Sequence, residues 1–175
     1  MSDTRTENYA EALLGLARAE GAEAVVADEL YRVAREIDNN VELSTTLSDL
    51  ALPADRRTKV VTGVLGGKVA PATLAALAAV VAAGRADELG AIAQQLAERT
   101  AGDAGQALTT IRTAVALNPD QQQRLAAALE AAAGRPIAPK FLVDPDVVGG
   151  VHAEIGDQVI DGTVRSRLAQ LRELF

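Results

Sequence analysis

The spacing of the apolar residues changes near residue 105, and this change limits the possible folds more than any other feature. Up to about residue 104, apolar side chains recur every three or four positions, as in an amphipathic α-helix. From Ala107 to Leu117 they alternate, as in a half-buried β-strand. The sequence therefore predicts an α+β protein: an N-terminal six-helix bundle in residues 1–105, followed by a small C-terminal α/β domain in residues 106–175.

The six helices of the first domain are predicted from apolar stripes and from the residues that begin and end them. The first helix carries two adjacent stripes, Tyr9-Leu13-Leu16 and Ala10-Leu14-Ala17. The second repeats the spacing of Val26, Leu30, Val33 and Ile37, and the third carries Leu43, Leu47 and Leu50. The later helices begin at Pro53, Pro71 and Leu89 and end at Gly66-Gly67, Gly84 and Gly102.

The second domain is predicted to contain four strands and two helices. The segment Asn118-Pro119-Asp120-Gln121 has the residues of a capping box and predicts a helix that ends at Gly134. Pro139 places the strand Ile137–Val143 at an edge or a strand start. Strands Val151–Ile155 and Gln158–Asp161 flank a hairpin turn at Gly156-Asp157, and a last helix carries the stripe Val164, Leu168, Leu171 and Phe175.

The composition excludes several classes of partner. Apolar residues make up 49% of the chain, but aromatic residues only 2%, so the core must be built from small aliphatic side chains and closely spaced helices. The net charge is −7. Because single-strand binding needs aromatic stacking platforms on a basic surface, we expect no nucleic-acid partner.

The same features bear on where the protein works. The N-terminus is acidic and lacks the basic segment followed by an apolar segment that a signal peptide has. The absence of cysteine fits a reducing cytoplasm. The longest apolar run, Val69–Ala83, is interrupted by Pro71 and Thr73 and is too short to span a bilayer. We expect no direct membrane insertion, and other chains would hold the protein at any membrane where it works.

Residues that could carry chemistry have simpler interpretations. His152 is the only histidine, and residues 62–69 resemble a phosphate loop but lack its first Gly and its final Ser or Thr. Arg165 and Arg167 are typical of a solvated helix face. The aspartates at positions 144, 146, 157 and 161 suit turns and helix starts. The sequence therefore predicts no catalytic residue, no metal ligand and no cofactor.

Two C-terminal segments carry a specific resemblance. VDPDVVGGV, residues 143–151, and GDQVIDGTVRSRL, residues 156–168, resemble the signature of the ATP synthase delta subunit family, called the oligomycin-sensitivity-conferring protein in mitochondria. Tyr9-Ala10-x-Ala12-Leu13, Gly84-Arg85 and Thr110–Leu117 are also similar to that family. Asn8 and Thr163 depart from it, where Arg and Ser are usual. The resemblance covers essentially the whole chain and is sparse in residues 20–80.

The resemblance implies a non-catalytic stator subunit of an F-type, proton-translocating ATP synthase. One copy would link the catalytic alpha/beta head to the peripheral stalk, peripheral to the cytoplasmic face of a bacterial cell membrane. The helical domain would bind the N-terminal helix of an alpha subunit, and residues 106–175 would bind the C-terminal end of the b subunit. A free-standing helical regulatory binding module remains the alternative, and an enzyme the third possibility.

Candidate contact residues follow from the same resemblance and from the excess apolar surface of the first and fifth helices, which a partner helix could bury. For the alpha subunit they are Tyr9, Leu13, Leu16, Leu74, Leu77 and Val81. For the fold of the second domain and its b-subunit side they are Asp144, Gly149, Gly150, Gly156, Asp161, Gly162, Arg165, Leu168 and Leu171.

Overall fold

A computed structural model describes residues 3–156, 158–164 and 166 of the chain. Its α-helices are α1 (Asp3–Ala19), α2 (Glu23–Asn39), α3 (Val41–Ser48), α4 (Ala54–Leu65), α5 (Pro71–Ala82), α6 (Leu89–Asp103) and α7 (Pro119–Ala133). Its strands are β1 (Ala107–Thr113), β2 (Ile137–Val143), β3 (Val151–Ile155) and β4 (Gln158–Asp161). A short 3₁₀ helix, Ala86–Glu88, precedes α6. The α+β class is confirmed.

The chain divides into two compact units, Met1–Thr100 and Ala101–Phe175. This division falls within α6, a few residues before the boundary predicted between residues 105 and 106. Among the described residues, none of the helices combines the length and the apolar character that crossing a bilayer requires.

The core of the helical unit is formed by aliphatic side chains at helical spacing. The predicted stripe of α2 is buried along its whole length, from Val26 to Ile37, which confirms that prediction. Helix α5 packs against α1, α2 and α4, and its side chains Leu77, Val80 and Val81 have no exposed surface. The predicted starts and ends of α5 also hold, with Pro71 in its first turn and Gly84 at a φ of +74° after its end.

The third helix is shorter than predicted. Helix α3 ends at Ser48, and the side chain of Leu50 is 70% exposed, so its predicted place in the helix is wrong. The cause is local, because the Oδ1 atom of Asp49 accepts a hydrogen bond from the backbone N–H of Ala51 at 2.9 Å. Such a turn offers the backbone an alternative to the next helical hydrogen bond.

The second unit is a four-stranded sheet with the order β2-β1-β3-β4. Strands β1 and β2 are parallel and joined through α7, whereas β3 and β4 are antiparallel to their neighbours. The core lies on one face, where Ile111, Ala153 and Ile155 pack with Leu129 of α7. Strand β2 lies at an edge, as Pro139 predicted.

Two details show how local chemistry sets the ends of elements in this unit. The capping box of α7 is present: Gln121 N–H donates to Asn118 Oδ1 at 2.8 Å, and Asn118 N–H donates to Gln121 Oε1 at 3.0 Å. Strand β1 stops at Thr113 rather than continuing to Leu117, which corrects the prediction. The Thr113 hydroxyl donates to the carbonyl of Val115 at 2.8 Å and turns the chain out of the sheet.

Candidate partner-binding surfaces

The six residues predicted to contact an alpha subunit fall into two groups. Leu13, Leu77 and Val81 are almost fully buried in the core of the helical unit. The prediction that these three contact a partner directly therefore needs correction, because their apolar surface is already covered by the neighbouring helices. They stabilise the helices that carry the surface, and do not form it.

The other three residues are at least partly exposed to solvent. Leu16 is 61% exposed, and Tyr9 and Leu74 are half-buried. Tyr9 and Leu16 are seven positions apart on α1 and so share one helix face. Leu74 lies on α5, which packs against α1. We define these three residues, Tyr9, Leu16 and Leu74, as the α1/α5 surface.

A charged pair adjoins Tyr9. The guanidinium carbon of Arg85 lies 5.1 Å from the centroid of the Tyr9 ring, a cation–π distance. The same guanidinium donates to both carboxylate oxygens of Glu88 at 2.6 Å, and this hydrogen bond is the main cause that raises the pKa of Arg85. Sequence reasoning noted Arg85 only as part of a family motif and missed Glu88, because nothing in the sequence places them beside Tyr9.

In the second unit, the signature glycines allow two backbone segments to cross. Gly150 has a φ of +87°, and an added Cβ would overlap the Gly162 carbonyl oxygen and lie 2.8 Å from Thr163 Cα. Two hydrogen bonds hold the crossing: Gly162 N–H donates to Val151 O at 2.9 Å, and Val164 N–H to Gly149 O at 3.0 Å. We call this arrangement the glycine crossing. It explains why the signature requires glycine at position 150.

The two signature aspartates form turns beside the glycine crossing. Asp144 Oδ1 accepts from Asp146 N–H at 2.9 Å, and Asp161 Oδ1 accepts from Thr163 N–H at 2.9 Å. The hydrogen bond from Thr163 is the main reason that the pKa of Asp161 is lowered. Across the part of the chain that is described, no group of three or more acidic or histidine side chains could hold a metal ion.

The remaining signature residues have different outcomes. Gly156 has a φ of +56° in the β3–β4 hairpin, where an added Cβ would lie 2.9 Å from the Nη2 atom of Arg135. That same nitrogen donates to the carbonyl of Ile155 at 3.0 Å, so the hairpin is tied to the segment after α7. Arg165, Leu168, Leu171, and also Asp157, Arg167 and Phe175, lie outside the described residues.

A cleft of about 220 Å³ opens where β1 and β3 meet the loop after β2. It is lined by Arg112, Asp144, Asp146, Val147, Val148, His152, Asp161 and Thr163. His152 Nε2 lies 3.2 Å from Glu154 Oε1, and Arg112 Nη2 lies 3.4 Å from the same oxygen. The cleft is therefore bordered by charges of both signs.

Exposed valines stand at the same end of the sheet. Val143 pairs with Thr113 at the ends of β2 and β1, Val115 follows two residues later, and Val148 is 74% exposed beside the cleft. We call Val115, Val143 and Val148 the valine end of the sheet. Apolar side chains bordered by charges are what a protein–protein interface uses for its centre and rim.

The described residues form a two-unit α+β protein, with one exposed apolar surface in each unit. The chain belongs to the family described as ATP synthase delta (OSCP) subunit, whose family model matches residues 6–175. The family resemblance found in the sequence is thereby confirmed.

Individual relatives agree with this assignment. The chain is 37% identical over 172 residues to ATP synthase subunit delta of Nocardia farcinica, an alignment covering 98% of this chain and 64% of the relative. It is 39% identical over 159 residues to ATP synthase subunit delta of a Parafrankia species, covering 90% and 57%. A Mycobacterium protein named ATP synthase subunit b-delta is 35% identical over 158 residues, covering 90% and 36%.

The chain thus spans less than two thirds of the length of these relatives. The fold is similar to that of a chain in the cryo-EM structure of the Toxoplasma gondii mitochondrial ATP synthase hexamer, with a TM-score of 0.57 and 18% identity. That similarity covers 97% of this chain and 96% of the other, so the similarity of fold extends through both units.

Proposed function

We propose that the protein is a non-catalytic stator subunit of an F-type, proton-translocating ATP synthase. It would link the catalytic alpha/beta head to the peripheral stalk, so that rotation is coupled to ATP synthesis. The observation that carries the proposal is the family match over residues 6–175, which includes both units. One copy per complex, peripheral on the cytoplasmic face of a bacterial cell membrane, is part of the proposal.

The α1/α5 surface is proposed to bind the N-terminal helix of an alpha subunit. Leu16 contributes the most exposed apolar area, and covering a fully exposed Leu is worth about 1.5–3 kcal/mol. A helix laid along α1 and α5 would also meet Tyr9 and Leu74. Arg85 and Glu88 would then border the contact as a polar rim.

The valine end of the sheet is proposed to bind the C-terminal end of the b subunit. The relative named ATP synthase subunit b-delta supports this partner, because its name joins b and delta in one protein. The glycine crossing and the capping box of α7 make this unit rigid, because each fixes backbone segments by a pair of hydrogen bonds. A rigid site loses less conformational entropy on binding.

A stator link is under continuous load and therefore needs slow dissociation. Nanomolar affinity corresponds to about 12 kcal/mol, and interfaces of about 1,200–2,000 Å² are typical of such complexes. Neither the three valines of the sheet end nor the tyrosine and two leucines of the α1/α5 surface can supply that free energy alone. We therefore expect each partner to cover more of its unit than the residues named here.

The helical-domain assignment is tested with two matched substitutions and a synthetic peptide of an alpha-subunit N-terminus. Leu16→Ser removes an exposed leucine of the α1/α5 surface. Val41→Ser is the control, because Val41 is 78% exposed on α3, which packs on α2 and α4. Calorimetry should show weaker peptide binding for Leu16→Ser and unchanged binding for Val41→Ser. Equal effects, or no binding by the unaltered chain, would contradict the assignment.

The same logic separates the two partners. Val148→Ser should weaken binding of a soluble C-terminal fragment of b and leave the alpha peptide unaffected. Leu16→Ser should do the opposite. A free-standing regulatory module, the alternative from the sequence, would bind neither fragment. Co-purification of the full chain with synthase subunits from membranes washed at low ionic strength gives an independent test in the native complex.

A further inference from the structure

Helix α5 has no charged residue of its own at either end. Its sequence, PATLAALAAVVA, has no acid in the first turn and no base in the last, and no side chain caps its N-terminus from the preceding residue. Every α-helix leaves unpaired N–H groups at its start and unpaired carbonyls at its end, and these carry partial positive and negative charge. At the C-terminal end, the backbone N–H groups of Ala83, Gly84 and Arg85 bond three of these carbonyls. Any charge that stabilises either end of α5 must come from another helix.

Glu29 of α2 supplies a negative charge at the N-terminal end of α5. Its Oε2 atom accepts a hydrogen bond from Ala70 N–H at 2.8 Å and another from the hydroxyl of Thr73 at 2.6 Å. Ala70 is the N-cap residue of α5, and Thr73 is fully buried in its first turn. A carboxylate on another helix therefore occupies the place that a first-turn acid normally takes.

Arg57 of α4 supplies a positive charge at the C-terminal end of α5. It is only 5% exposed, and its Nη1 atom donates to Val81 O at 2.9 Å and to Leu47 O at 3.4 Å. Its Nε atom is buried without a hydrogen-bond partner. In the described ranges no carboxylate pairs with it, so its positive charge faces the last carbonyls of α5 and α3. A cation is favourable there because helix C-termini are partially negative.

We propose that Glu29 and Arg57 are two charges that hold α5 at its ends, and that Arg57 is a positioning residue for the α1/α5 surface. Twelve helical residues span about 18 Å, so the two charges fix both the axial position and the rotation of the helix. The effect on partner binding rests on the function proposed above. The effect on α5 itself does not.

The composition of α5 explains why such fixing is needed. Half of its residues are alanine, and its apolar side chains are spread around the helix. Small, similar side chains form shallow ridges that fit neighbouring grooves in several registers. Buried polar groups can select one register at some cost in stability. Arg57 selects it by joining the end of α5 to the end of α3.

The test uses the full chain with Arg57→Met, which keeps an unbranched apolar stem and removes the charge, and Arg57→Lys, which keeps the charge. Amide hydrogen exchange is followed at residues 83–85, whose N–H groups bond the last carbonyls of α5. We expect Arg57→Met to speed exchange there by roughly tenfold or more relative to buried α2 amides, and Arg57→Lys to restore most of the protection.

Binding of the alpha peptide is measured on the same variants at equal folded fraction. Arg57→Met should weaken binding by roughly tenfold, with partial rescue by Arg57→Lys. Glu29→Gln, which keeps the acceptor without the charge, should loosen residues 70–73 in the same way. Uniformly faster exchange throughout the helical unit, or no change at either end, would overturn the proposal. If the unaltered chain does not bind the peptide, the proposed function fails while the exchange result still decides the role of Arg57.

Discussion

Replacing Gly150 by alanine should destabilise the second unit through two separate effects. Gly150 has a φ of +87°, and a non-glycine residue in the left-handed region costs about 1–2 kcal/mol. The new Cβ would also collide with backbone atoms of Gly162 and Thr163, which cannot move aside as a flexible side chain would. Such overpacking costs typically 1–3 kcal/mol. The expected total is about 2–5 kcal/mol.

Gly134→Ala is the matched control. Gly134 has a φ of +66° after α7 in the same unit, and an added Cβ there would meet nothing within 4 Å. It should therefore lose only the backbone term, about 1–2 kcal/mol. The unfolded-state entropy gained from alanine is common to both variants and cancels in their difference. That difference, about 1–3 kcal/mol, measures the collision at the glycine crossing.

The assay is amide hydrogen exchange in β3 and β4, read as local free energies of opening. Exchange is preferable to fluorescence because the chain has no tryptophan, and both tyrosines, Tyr9 and Tyr31, lie in the helical unit. Exchange in α2 should not change in either variant. If Gly150→Ala and Gly134→Ala lower protection equally, the glycine crossing is not the reason for the signature.

Three further predictions concern other contacts. Leu77→Ala should lower the free energy of unfolding by about 2–5 kcal/mol, because Leu77 is fully buried. Urea unfolding followed by tyrosine fluorescence would measure this change, and a decrease under about 1 kcal/mol would contradict the core role of Leu77. Asn118→Ala should cost about 0.5–2 kcal/mol through loss of the capping box, with Gln121→Ala smaller, as measured by exchange in α7; no change in α7 would count against the cap. The lowered pKa of Asp161 makes its contribution to stability present above the ordinary value of 3.8 and lost as pH falls through the folded-state pKa. Thermal midpoints of the unaltered chain and Asp161→Asn should therefore converge as the pH falls through that folded-state pKa. A difference that stays constant with pH would refute the hydrogen bond from Thr163 as the cause of the lowered pKa of Asp161.

Features that depend on neighbouring residues in sequence were predictable. Pro71 and Gly84 mark the start and stop of α5 because their backbone preferences act locally. The pairing of Asn118 with Gln121 needs only three residues of separation. The family resemblance also depended mainly on two C-terminal segments, residues 143–151 and 156–168, where the glycine crossing leaves a compact pattern of glycines and aspartates.

Features that depend on packing between distant residues were not predictable. The stripe of Tyr9, Leu13 and Leu16 is one helix face, yet only the structure shows that neighbouring helices cover Leu13 and leave Leu16 exposed. Arg57 reads as an ordinary surface cation in sequence. Its burial depends on the ends of two other helices, 10 and 24 residues away.

The place of Pro139 in the edge strand has a consequence for self-association. Ala107 N–H donates to Pro136 O, and alternate residues of β2 point toward β1, so Pro139 directs its backbone nitrogen to the outer edge. That nitrogen carries no hydrogen. A strand of another chain that paired along this edge would leave a carbonyl without a donor at the centre of the ladder. The outer edge of β2 is therefore protected against the strand-to-strand aggregation to which open sheets are prone.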